Sequence, residues 1–184
     1  MIYEYTEPDI RSGSIEMYGL FTAEFGKPKK VYYPGCGTDL TPGVAFPESS
    51  VVFLDPEPWE DVIASHLPKV VFVQRKAEDY SFSSEFDLVI NIHSHAPFLH
   101  QVKDLKRGGY LIISNKTSDH AFDDVQFELV GVISENRNKD GDHQSYDLLT
   151  MGLQIFIEEE AEPEEYSFSN RRKIKAPYYI FRKK

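Results

Sequence analysis

Two hydrophobic rhythms divide the chain. Near the N-terminus Ile15, Tyr18, Phe21 and Phe25 recur at spacings of three and four, which places them on one helical face. Ser12 or Ser14 is expected to cap that helix, and Gly26 to stop it. From Val31 onward the pattern becomes short apolar runs rich in β-branched and aromatic residues. "VYY" from Val31 to Tyr33 ends at Pro34-Gly35, and "SVVFLD" from Ser50 to Asp55 follows it. "KVVFVQ", "FDLVINI" and "YLIIS" are predicted as strands three to five. Between them, "EPWEDVIAS" puts Trp59, Val62 and Ile63 on one helical face. Pro97 suits the first turn of a helix carrying Phe98, Val102 and Leu105 and ending at Gly108-Gly109.

Strands alternating with helices at this spacing predict βαβ units and a mostly parallel sheet. The strand runs are apolar on both faces, as a sheet covered on both sides requires. After Ser114 the rhythm changes. "FELVGVIS" and the terminal "YYIFRKK" are expected to be strands forming an antiparallel edge. The segment at about 135–177 reads as an insertion between them, lying over one end of the sheet. Within it, "YDLLTMGLQIFIEEE" fits either a helix bearing Leu148, Met151 and Ile155 or a hairpin through "LQIFIE".

Length and composition narrow the classes. A chain of 184 residues suits one domain, 1–184, with a single core. No apolar run approaches the roughly 18 residues a membrane span needs, and no basic head precedes an apolar block, so a cytoplasmic protein is expected. The one cysteine excludes an internal disulfide. A net charge of −10 argues against nucleic acid as the main partner, since phosphate backbones call for a basic face. The acidic "EEEAEPEE" and the basic "NRRKIK" and "FRKK" are read first as solvated surface.

The stretch "VYYPGCGTDLTPGVAFPESSVVFLD" carries the candidate chemistry. In an open parallel sheet, ligands sit beyond the carboxyl ends of the strands, where strand order reverses. Gly35 and Gly37 permit close approach there, and turn N–H groups suit an anion. Asp55, about twenty residues on, stands where a carboxylate accepts from a ribose diol. The dinucleotide pattern G-x-G-x-x-G fails at Leu40, and no Walker loop is present.

These residues resemble the class I S-adenosylmethionine-dependent methyltransferase family. "VYYPGCGTD" is similar to its first motif, and Asp55 in "VVFLDPEP" to the acid closing its second strand. "VVFVQRKAEDYSF", "FDLVINIHSHAP" and "LKRGGYLIIS" resemble its next three segments, in order. The resemblance implies a three-layer Rossmann-like sandwich, with a mostly parallel seven-stranded sheet and an antiparallel C-terminal edge. It implies S-adenosylmethionine as cofactor, with Gly35, Cys36 and Gly37 against its methionyl part and Asp55 on the ribose hydroxyls. Pro56, Ala77 and Glu78 would then border the adenine, and Asn91 the transferred methyl. Three positions depart from the pattern. Tyr33 stands where the family often has an acid within its first strand, Asp39 replaces the last motif glycine, and Lys76 follows strand three. Asp39 is a candidate to supply the missing charge. "TPGVAFPESS" is too short for the usual first long helix.

Methyl transfer needs in-line alignment, and a base only when the nucleophile carries a proton. His93 and His95 stand at the carboxyl end of the fourth strand, where a base would act. They fit equally as loop residues or as a helix cap, and with His100 they fit a metal site less well for want of a carboxylate or thiol. Two functions are therefore carried forward: a methyltransferase acting on a small-molecule acceptor, and a catalytically silent scaffold that kept the sheet. Filling of the cleft above Gly35 and Asp55 by Thr41–Phe46 would favour the second. Oligomeric state is not legible.

Overall fold

The computed structural model describes residues 8–82, 85–92, 94, 97–114, 118–137, 144–150 and 177–184. Helix α1 (Ser12–Phe25) leads into β1 (Lys30–Pro34), α2 (Thr41–Ala45), β2 (Ser50–Asp55), α3 (Glu60–His66) and β3 (Val71–Gln74). A 3-10 turn (Ala77–Asp79) precedes β4 (Phe86–Asn91) and α4 (Phe98–Val102). Then come β5 (Leu105–Ser114), α5 (Asp119–Asp123), β6 (Phe127–Arg137), β7 (Gln144–Thr150) and β8 (Tyr178–Lys183).

The strands form one sheet in the order β3-β2-β1-β4-β5-β8-β6-β7. β1 to β5 are mutually parallel, whereas β8, β6 and β7 pair antiparallel. Side-chain alternation divides the core between the two faces. Tyr32, Leu54, Val89, Leu111 and Phe181 pack with α4 and α5 through Phe98, Val102 and Phe122. Val31, Tyr33, Phe53, Leu88 and Ile180 pack with α1 and α3 through Met17, Tyr18, Phe21 and Ile63. This is the expected three-layer, mostly parallel Rossmann-like sandwich with an antiparallel edge.

Four details differ from expectation. The sheet has eight strands among the described residues, not seven, because Gln144–Thr150 pairs with β6. From Tyr146 onward this strand takes up the start of the segment that fits either a helix or a hairpin, and α1 packs beside it. The "LQIFIE" segment lies outside the described residues. Second, neither Ser12 nor Ser14 caps α1. Arg11 holds that position with extended backbone, its N–H donating to Thr41 Oγ1 at 3.0 Å. The helix start is thus set by a tertiary contact, while Gly26 (φ 86°) ends the helix as expected. Third, α4 stops at Val102 rather than at Gly108-Gly109, and β5 already begins at Leu105. The ladder with β4 jumps from Phe86–Leu105 to Leu88–Tyr110, so the glycines lie in a bulge. A Cβ on Gly109 would lie 2.9 Å from the Lys106 carbonyl and 3.1 Å from that of Asp87. Fourth, α5 has no counterpart in the expected elements.

Asp87 fastens the amino ends of three strands together. Its Oδ2 accepts the N–H groups of Lys29 (2.9 Å) and Lys30 (2.8 Å), and its Oδ1 pairs with the Lys106 ammonium. Burial by itself would raise this carboxyl pKa. The bonds from Lys106, Lys30 and Lys29 outweigh it, and the net shift is downward. A depressed folded-state pKa contributes stability above the unfolded value, and the contribution is lost as pH falls through the folded one. Asp87→Asn is therefore expected to destabilise the protein at pH 7 and to flatten its loss of stability below about pH 4. Urea unfolding of both proteins at pH 7 and pH 3 checks this. Equal pH dependence in the two would remove Asp87 as the source.

Candidate functional site

Strand order reverses between β1 and β4, so the crevice of this sheet opens where the chain leaves Pro34, Asp55 and Asn91. Leaving β1, the chain turns sharply. Gly35 (φ 66°) and Gly37 (φ 53°) both adopt the left-handed conformation that side chains resist. Gly35 still donates to Leu54 O at 2.7 Å, then packs against the β4-α4 loop. A Cβ there would lie 2.7 Å from Ser94 Cα. Around Gly37 there is open space. Close approach at Gly35 is thus required by the protein's own backbone, while Gly37 leaves room beside it.

Asp55 joins this turn to the end of β2. Its Oδ2 accepts the Gly37 N–H at 2.9 Å and its Oδ1 the Glu57 N–H at 3.0 Å. An ionised carboxylate has about four lone-pair sites, so two backbone bonds leave acceptor capacity for a diol. Cys36 is buried between the glycines. Burial, and next the Asp55 charge, push its thiol pKa far up, which keeps it protonated and makes it a packing residue.

Asp39 proves to be the partner of Tyr33. The Tyr33 hydroxyl donates to Asp39 Oδ2 at 2.9 Å, and the Thr41 N–H to Oδ1 at 2.9 Å. Burial raises the phenol pKa well above its ordinary value, with Tyr18 and then Asp39 adding to it. A chain segment from before α1 also reaches this loop. Asp9 N–H donates to Thr38 O, and Leu40 N–H to Asp9 O, both at 2.9 Å. No local pattern at Asp9 or Arg11 announces that contact. Helix α2 packs on the α1 and α3 face, where Gly43 lies against Leu67, Phe53 and Val70.

The remaining expected residues spread along the crevice. Pro56 is exposed, and its carbonyl accepts from Gln74 Nε2 at 3.3 Å. Ala77 is buried at the start of the 3-10 turn, with Glu78 exposed beside it. Asn91 closes β4, fully enclosed, and its Oδ1 has no hydrogen-bond partner among the described residues. From α4, Gln101 Nε2 donates to Ser94 Oγ at 3.0 Å. His93 and His95 lie outside the described residues. The turn, Asp55 and the Ser94 loop are brought into contact, whereas Ala77 and Glu78 sit on a neighbouring loop. No group of metal-ligating side chains occurs among the described residues, and no helix there is long and apolar enough to cross a membrane.

No protein-family model matches the sequence, and no curated protein does. Solved structures do. NodS, an N-methyltransferase from Bradyrhizobium japonicum WM9 in complex with S-adenosyl-L-homocysteine, superposes with a TM-score of 0.57 at 10% identity, over 98% of this chain and 91% of NodS. The fold is that of the class I methyltransferases. TomG, an O-methyltransferase from Streptomyces achromogenes involved in tomaymycin synthesis and solved with SAM, gives 0.52 at 14% identity, over 76% of this chain and 78% of TomG. The StiE O-MT segment 961–1257 gives 0.50 at 19% identity over 65% of this chain, which spans about half (53%) of that structure. At such identities the likeness is one of fold. Placed on the methyltransferase fold, the Gly35–Gly37 turn, Asp55 and Asn91 occupy the carboxyl ends of β1, β2 and β4.

Two outcomes follow from this geometry. Gly35→Ala should destabilise the protein by more than the about 1–3 kcal/mol of its backbone conformation, because the new methyl meets Ser94 backbone. Gly37→Ala, with open space, should cost only about 1–2 kcal/mol. Equal costs in denaturant titrations would contradict the Ser94 contact. Asp55→Asn turns an amide donor toward one of two backbone N–H groups. A loss of about 1–3 kcal/mol is expected without any ligand, and an unchanged urea midpoint would exclude the Gly37 and Glu57 bonds as structural.

Proposed function

We propose that this chain is an S-adenosylmethionine-dependent methyltransferase acting on a small-molecule acceptor, with residues 1–184 as one domain. One observation carries the reading. A Gly-Cys-Gly turn at the strand switch point is tied to the carboxylate ending the next strand, through Gly37 N–H and Asp55 Oδ2. Two further features suit the cofactor. Asp55 keeps lone pairs for ribose hydroxyls, and the enclosed Asn91 Oδ1 lacks a donor among the described residues. Gly43 and Phe46 of the Thr41–Phe46 segment pack against Leu67 and Tyr18, which supports the enzyme over the silent scaffold.

On this reading Gly35, Cys36 and Gly37 flank the methionyl part, Asp55 holds the ribose, and Pro56, Ala77 and Glu78 border the adenine. Bound S-adenosylmethionine supplies an electrophilic sulfonium methyl. The chain's own task is to align the acceptor in line and exclude water. Asn91 Oδ1 can accept a hydrogen bond at the floor of the site, and His93 or His95 would take the proton of a protonated nucleophile. The net charge of −10 favours a small acceptor over nucleic acid, and a cytoplasmic setting goes with this reading.

Titration calorimetry with S-adenosylmethionine and S-adenosylhomocysteine, and NAD as control, tests the proposal. Binding of the first two at about micromolar Kd, with none of NAD, is the expected result. Silence toward all three in a folded protein would transfer the assignment to a scaffold.

A further inference from the structure

We propose that Lys103, supported by Asp104, is a positioning residue that holds the 77–82 loop so that the site selects an adenine ring. The inference rests on the S-adenosylmethionine reading, which puts the purine beside Ala77 and Glu78. Lys103 sits just past α4 in helical conformation and turns its ammonium back under the loop. Its Nζ donates to Ala77 O at 3.2 Å and also to Tyr80 O. Asp104 continues the clamp: its Oδ1 accepts from Ser81 Oγ and its Oδ2 from the Phe82 N–H, both at 3.3 Å. Two adjacent residues thus fix four loop positions from below. Both are free to do so because α4 ends at Val102.

The far end of the loop is held independently. The Phe82 ring meets Tyr32, Tyr80 and Phe86 edge-on, with centroids 5.0, 4.8 and 4.9 Å away. Removing the Lys103 ammonium therefore loosens the Ala77 end without unfolding the loop. That end decides base selection. Adenine presents an acceptor at N1 and a donor at its 6-amino group, and hypoxanthine reverses both. Fixed backbone groups match one edge and leave the other unpaired, whereas a loosened loop tolerates either. With the Ala77 carbonyl engaged by a cation, the loop's polar groups are further committed to one arrangement.

The full-length protein, Lys103→Met and Lys103→Arg are titrated calorimetrically with S-adenosylhomocysteine and S-inosylhomocysteine. The natural protein is expected to prefer the adenine ligand. Lys103→Met should weaken S-adenosylhomocysteine binding about tenfold and shrink that preference by a similar factor, and Lys103→Arg should restore both. The proposal is overturned if the natural protein does not discriminate, or if Lys103→Met keeps the discrimination, whether affinities are unchanged or fall together. Failure of the natural protein to bind either ligand would instead remove the cofactor reading on which the proposal stands.

Discussion

The turn out of β1 is the constraint on which the site depends. Three strands end together at the switch point, and the backbone leaving the first must pass within van der Waals reach of the loop leaving the fourth. Only glycine at position 35 admits Ser94 at that distance with φ at 66°. Everything nearby is arranged around this contact. Gly37 then swings its N–H to Asp55, and Asp39 turns back to Tyr33, so the loop is closed by the strands it connects.

Carboxylates do much of this fastening. Asp39, Asp55, Asp87 and Asp104 stand at junctions between strands and loops, and each accepts at least one backbone N–H. Loops around a parallel sheet leave N–H groups that no ladder satisfies, and a charged acceptor binds them more strongly than a neutral one. The acidic balance of the chain is therefore partly architectural. Asp39, the candidate for the charge missing from β1, is one of these fasteners: its oxygens accept from the Tyr33 hydroxyl and the Thr41 N–H.

The methyltransferase fold is reached here with a much reduced first helix. α2 has five residues, and a Cβ on Gly43 would lie 2.4 Å from Leu67 Cδ1. The face a longer helix would cover is filled by α1, by Phe46 against Tyr18 at 5.3 Å, and by β7 at the sheet edge. Covering apolar strands is what the core requires, and which element does so is secondary.

Much of this was legible in residue order. Val51–Leu54, Leu88–Ile90 and Leu111–Ile113 are apolar on successive residues because both faces are covered, and that alone implies a parallel sheet between helices. Gly26 as a helix stop, and the Gly35–Gly37 turn with Asp55 after the next strand, were legible for the same local reason: backbone sterics and strand length are short-range. Tertiary structure alone decided the rest. Gly108-Gly109 looks like a helix end, yet it forms a bulge, because pairing with β4 and the Asp87 carbonyl set the path there. The start of α1 depends on Thr41, thirty residues away, and β7 exists because β6 offers it a free edge. Asp55 showed its position in the sequence but not its partners, since which N–H groups reach a carboxylate is fixed only when distant loops are brought together.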